Sequence, residues 1–166
     1  MLKTRHLIPP LTARTPDGQT IRAWDYKQKK NLVITFLHAG CRRCEEFLSK
    51  LAGRAAELAE REAVGLVVFA EAPPALENLP AQVVVATDMR GRSQRAYLGE
   101  EAFGPAGQER VGVFVADRYG ELYTQWVGRD EDGLPGMGEL LDWLGQIQVA
   151  CEECGVSPAA AGPAES

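Results

Sequence analysis

Leu32-Val33-Ile34-Thr35-Phe36-Leu37-His38-Ala39-Gly40-Cys41-Arg42-Arg43-Cys44 is the stretch whose reading decides the fold. Its first six residues form a short apolar run rich in β-branched and aromatic side chains. The run begins after the charged cluster Lys27 to Lys30, and together these features predict a buried strand. Beyond the cysteines, Phe47, Leu48, Leu51, Ala55, Leu58 and Ala59 recur at the three-to-four spacing of one buried helical face, so a helix is predicted over residues 42–62. A C-x-x-C pair therefore stands at a strand-to-helix junction. Two thiols placed there can close a small disulfide ring and reopen it, which points to dithiol chemistry more than to cross-linking.

On the N-terminal side, Pro16-Asp17-Gly18 is a turn between two short runs within Thr12 to Asp25, which predicts a hairpin. On the C-terminal side, Val64 to Phe69 is a continuous apolar run suited to a parallel sheet covered on both faces. Residues 72–80 read as a loop, Gln82 to Ala86 as a third strand and Arg92 to Leu98 as a short helix. Val111 to Ala116 and Glu121 to Val127 flank the turn Asp117-Arg118-Tyr119-Gly120, the spacing of a second hairpin. After an acidic loop at 129–133, a last helix is predicted from about Pro135. The expected fold class is α/β, a mixed central sheet flanked by helices with an N-terminal β-hairpin. Residues 1–155 are expected to form one domain, followed by a flexible Ala-, Pro- and Gly-rich tail at 156–166.

At 166 residues the chain can bury a core without disulfides or metal. Apolar and charged contents of 45% and 25% are ordinary for a soluble globular protein. A net charge of -5 without a basic stripe argues against nucleic acid as partner. No apolar run approaches membrane-spanning length, and Leu7-Ile8 followed by Pro9-Pro10 is no signal-peptide core. A cytoplasmic location is expected. Reducing conditions there favour redox or metal roles for four cysteines over permanent disulfides.

The chain resembles the thioredoxin-like superfamily, and within it the redoxin branch that includes peroxiredoxins of the alkyl hydroperoxide reductase/thiol-specific antioxidant type. The resemblance rests on Asp17-Gly18 in the first hairpin, Tyr26 with Lys27, Lys29 and Lys30, Asn31 to Phe36 running into Cys41 and Cys44, and Phe114-Val115-Ala116-Asp117-Arg118-Tyr119-Gly120-Glu121. It spans about residues 10–150 and implies a thioredoxin-like fold with a redox-active disulfide.

Two orders of attack follow. The dithiol branch implies Cys41 as nucleophile and Cys44 as resolving thiol, acting on a protein or low-molecular-weight disulfide and regenerated by a cellular reductant. The peroxiredoxin pattern P-x-x-x-T-x-x-C lays Leu37 on the proline, Cys41 on the threonine and Cys44 on the peroxidatic cysteine; peroxide would then be the substrate and Cys41 the resolving thiol. Arg110 lies one residue from that family's peroxide-activating arginine. In dithiol members an aromatic residue precedes the first cysteine, where this chain has Gly40. Those members also place a cis-proline opposite the disulfide, where this chain has Val111 or Gly112; Gly112 is expected to leave the backbone open to a partner. A third reading is a non-catalytic module that senses redox state or clips a metal.

Physical chemistry favours reactive thiols here. A thiolate is the nucleophile, and helix N-termini and cations favour it, so Cys41 at a helix start beside Arg42 and Arg43 suits attack. His38, three residues before Cys41, is within reach to orient or deprotonate a thiol, though a packing role serves equally well at a strand end. Cys151 and Cys154 extend the stripe Met137, Leu140, Leu144, Ile147, with Gly155 expected to cap the helix. They are read as a redox relay with Cys41 and Cys44 within or between subunits, as a metal site, or as one packed and one exposed residue. Zinc is the weakest metal-or-relay option, because the two pairs lie about a hundred residues apart, far beyond the usual ribbon spacing. No cofactor beyond the disulfide is expected, and the sequence leaves monomer and dimer open.

Overall fold

The computed structural model describes residues 2–73, 76–88, 90–103, 110–129 and 134–156, with 101, 103 and 151–156 described by backbone alone. Its first half contains β1 (Thr12–Arg14), β2 (Thr20–Arg22), a 3-10 turn at Ala23–Tyr26, β3 (Asn31–Leu37), α1 (Arg42–Ala52) and α2 (Ala55–Glu60). Its second half contains β4 (Ala63–Phe69), β5 (Val83–Thr87), α3 (Arg92–Leu98), a 3-10 turn at Glu100–Phe103, β6 (Arg110–Ala116), β7 (Leu122–Arg129) and α4 (Met137–Val156). The strands form one seven-stranded mixed sheet in the order β2-β1-β5-β4-β3-β6-β7.

Every residue of β3 is buried, as its continuous apolar run requires. It pairs in parallel with β4, from Asn31↔Ala63 to Leu37↔Phe69, and antiparallel with β6, from Leu32↔Ala116 to Phe36↔Gly112. The strand that feeds the cysteines is thus held on both edges. Alternation along the strands sorts side chains into two layers. Val33, Leu37, Val111, Val113 and Val115 face α1 and α4, which contribute Phe47, Leu48, Leu51, Leu140, Leu144 and Ile147. Ile34, Phe36, Leu66, Val68 and Phe114 face α3 and its Tyr97 and Leu98. In that second layer Tyr97 stacks within 5.1 Å of Phe36 and 5.0 Å of Phe114.

Both hairpins form as expected. In the second, Asp117 Oδ1 accepts from the Tyr119 and Glu121 N–H groups at 2.9 and 3.0 Å, and Gly120 takes φ +86°. The helix expected over 42–62 is two helices instead. Gly53 ends α1, and Arg54, at φ -109° and ψ 26°, steps out of the helical region before α2 resumes. A glycine inside the pattern weakens the helix enough for the chain to turn there. Gly155 does not end the last helix, since α4 continues through Val156. Residues 74, 75, 130–133 and 157–166 of the expected loops and tail lie outside the described residues. Among the described residues no helix is long and apolar enough to cross a membrane.

Candidate active site at the Cys41–Cys44 pair

A left-handed turn sets the site. Gly40 adopts φ +76°, open to glycine without strain, and swings the chain from the end of β3 into α1. Cys41 follows as the N-cap of α1, in extended conformation at φ -99° and ψ 114°. Its Sγ accepts a hydrogen bond of 3.1 Å from the Cys44 backbone N–H. Serine or aspartate would make the same contact at that place, so the sulfur satisfies one of the open donors of the helix start.

The two cysteines differ in access. Cys41 keeps 7% of its surface exposed, whereas Cys44 keeps 0% and lies in the cluster with Phe47, Leu48 and Val111. A ring nitrogen of half-buried His38 and both sulfurs lie within 4.8 Å of one another. A disulfide needs the sulfurs at about 2.05 Å, a modest side-chain movement from this arrangement. Arg42 and Arg43 are exposed, and Arg42 is ion-paired with Glu46 at 3.5 Å. The Arg42 charge is therefore shared with solvent and Glu46, while the Cys44 backbone N–H touches the Cys41 sulfur directly.

Arg110 and Gly112 stand on β6, where Phe36↔Gly112 is the last pair before the turn to the cysteines. Nη1 of Arg110 donates to Leu98 O at 3.4 Å. Gly112 is buried rather than open to a partner, which corrects the expectation. A Cβ there would stand 2.6 Å from Leu98 Cδ2, 3.1 Å from Phe114 Cε1 and 3.2 Å from Trp126 O. The missing side chain makes room for α3 on the layer opposite the cysteines, whose own layer takes Val111, Val113 and Val115 from β6.

Cys151 and Cys154 lie on the last turns of α4, and their side chains are outside the described residues. The helix passes the far end of the sheet before reaching them, because Gln148 Oε1 accepts from Asn31 Nδ2, at the start of β3, at 3.1 Å. Cys41 follows the other end of that strand. A seven-residue strand spans about 23 Å, so the backbone of α4 runs toward the pole opposite Cys41.

Sequence reading missed a small cavity of about 130 Å³ beside the site, lined by Arg43, Glu46, Phe47 and Lys50 of α1 and by residues 134–137. No local signal could have found it, since its walls come from distant parts of the chain. An apolar cavity of about 290 Å³, lined by Leu11, Leu32, Trp24 and Tyr119 among others, lies at the pole away from the cysteines.

No family model and no curated protein matches the chain by sequence. Solved structures do match in three dimensions. A yeast mitochondrial 1-Cys peroxiredoxin aligns with a TM-score of 0.75 at 18% identity, covering 99% of this chain and 85% of its own. A mitochondrial 2-Cys peroxiredoxin from Plasmodium falciparum aligns with a TM-score of 0.69 at 12% identity, covering 92% and 98%. The fold is thioredoxin-like. A Chlorobium tepidum protein assigned as the thiol:disulfide interchange protein DsbE shares it too, with a TM-score of 0.63 at 18% identity over 91% of this chain and 98% of its own. Identities this low establish the thioredoxin-like fold alone; the chemistry has to come from the residues of this site.

Proposed function

We propose that the protein is a thiol-disulfide oxidoreductase that uses Cys41 to attack and Cys44 to resolve. The observation that carries this reading is the unequal access of the two sulfurs at the start of α1: Cys41, the N-cap, keeps a surface, while Cys44 lies wholly behind it. Cys41 sulfur attacks one sulfur of a substrate disulfide, and the other sulfur leaves as a thiolate. The Cys44 backbone N–H at the helix start faces Cys41 Sγ, which carries the negative charge as the attacking thiolate. Cys44, as thiolate, then attacks Cys41 Sγ, breaks the mixed disulfide and releases the second substrate thiol. Two electrons pass from the dithiol to the substrate, and a cellular reductant, in a reducing compartment such as the cytoplasm, returns them.

The test is a trap. Cys44→Ser incubated with a protein disulfide should accumulate a mixed disulfide on Cys41, mapped by peptide mass spectrometry, whereas Cys41→Ser should form none. A mixed disulfide on Cys44 in Cys41→Ser, with none on Cys41, would sink the assignment.

A peroxidase is the second reading, favoured by the placement of Cys44 at the peroxidatic position of the peroxiredoxin pattern. It requires peroxide to reach a sulfur that is 0% exposed. Mixing reduced protein with one equivalent of hydrogen peroxide separates the two. Oxidation at the rate of an ordinary thiol supports exchange, while rapid formation of a Cys44 sulfenate in Cys41→Ser supports the peroxidase.

A further inference from the structure

The residues that gather the thiols also gather an imidazole, in the order His38-x-x-Cys41-x-x-Cys44. We propose that His38, Cys41 and Cys44 form a three-ligand site for a thiophilic d10 cation, for which zinc is the fitting ion, and that metal loading and disulfide formation compete for the same sulfurs.

Geometry is the first argument. The ligand atoms all lie within 4.8 Å of one another. Bond lengths of about 2.3 Å to sulfur and about 2.0 Å to nitrogen in a tetrahedron need separations of roughly 3.5–3.8 Å. The set has to contract by at most about an ångström, the scale of side-chain torsions. Burial is the second. Two thiolates, one neutral imidazole and Zn²⁺ sum to zero charge, so a site whose sulfurs are almost wholly buried carries no net uncompensated ion. Ligand chemistry is the third, because two thiolates and an imidazole select zinc over hard cations. The hydrogen bond from the Cys44 N–H to Cys41 Sγ already orients one ligand, as outer-shell contacts do in metal sites. One tetrahedral corner stays open to water or an outside ligand.

Loading displaces two thiol protons. Where the exchange chemistry of the preceding subsection holds, a substrate disulfide and two protons convert the zinc dithiolate into the Cys41–Cys44 disulfide, two substrate thiols and free Zn²⁺. The metal would then protect the reduced pair until an oxidant arrives. Binding itself does not depend on that reaction.

The experiment titrates anaerobically reduced full-length protein with Zn²⁺ against a chromophoric chelator, alongside a Co²⁺ titration of the wild type. Expected are one tight equivalent, sulfur-to-cobalt charge-transfer bands with an intense tetrahedral visible spectrum, and at least about 10- to 100-fold weaker binding in His38→Ala. Cys151→Ser/Cys154→Ser should keep that equivalent, and Cys41→Ser should lose it. The cobalt spectrum counts thiolates without any substitution, which guards against a variant that fails to fold. No competition with the chelator, unchanged affinity in His38→Ala, or an equivalent lost only in Cys151→Ser/Cys154→Ser would each overturn the proposal. A protein that binds zinc yet forms no mixed disulfide in the trapping assay would retire the oxidoreductase reading and leave the metal site standing.

Discussion

The Cys44 backbone N–H donates to Cys41 Sγ across 3.1 Å, so each cysteine holds the other's place before any disulfide forms. The N-cap bond fixes Cys41 at the mouth of the site, and the first turn of α1 carries Cys44 beneath it, where 0% of its surface is exposed. Alkylation of the reduced native protein should therefore modify Cys41 before Cys44. Peptide mapping after a short exposure to iodoacetamide checks this, with Cys44 expected to react at the rate of Cys41 only after unfolding in denaturant. Equal rates in the native state would contradict the buried placement of Cys44.

Gly112→Ala should destabilise the protein without touching the sulfurs. The added methyl meets Leu98 Cδ2 at 2.6 Å and Phe114 Cε1 at 3.1 Å in a packed layer. Overpacking of this kind costs about 1–3 kcal/mol, a fall in Tm of roughly 2–12 °C for a chain of this size. Trimming the neighbour in Gly112→Ala/Leu98→Ala should recover part of the methyl's cost relative to Leu98→Ala alone, which a double-mutant cycle by thermal unfolding measures.

Tyr97 ties the N-terminal segment to the core. Its ring packs between Phe36 and Phe114, and its hydroxyl donates to Pro9 O at 2.6 Å. Burial pushes its phenol well above the usual range, so it stays neutral and a donor at any physiological pH. Tyr97→Phe keeps the ring and removes the bond; the expected loss is about 1 kcal/mol, read as a lower urea midpoint with an unchanged slope.

Acid should weaken the contact between Glu62 and Arg118. Hydrogen bonds from Gln148 and then Arg118, with the Arg118 charge, hold the Glu62 carboxyl below its usual range, and Arg118 Nη2 lies 2.6 Å from it. Because the folded protein lowers this pKa, the contribution is present above the unfolded value of about 4.3 and is lost as pH falls through the folded value. Half of the Glu62 side chain is in solvent, which screens the pair and keeps it to no more than about 1 kcal/mol. Glu62→Gln should cost that small amount at pH 7 and nothing once both states of the wild type are protonated, as denaturant titrations at several pH values would reveal. A larger gap in acid than at neutrality would contradict the assignment.

Much of this molecule is written locally. The run Leu32–Leu37, the cysteine at a helix start, the turns at Asp17-Gly18 and Asp117–Gly120, and the bounds of α3 at Arg92–Leu98 are read from neighbours within four residues, because strand alternation, helix period, caps and turns are short-range physics. Gly53 shows where that reading fails even locally: the apolar stripe continues across it, but the backbone does not. Sequence alone thus determined the mixed α/β architecture and the position of a dithiol at its strand-to-helix junction. Tertiary structure decided the rest. Leu98 fills the space over Gly112, the backbone of α4 runs toward the pole opposite Cys41, Cys44 is sealed beneath Cys41, and His38 meets both sulfurs. Those relations depend on register across β3 and β6 and on which helix covers which face, contacts between segments far apart in the chain that no local period encodes.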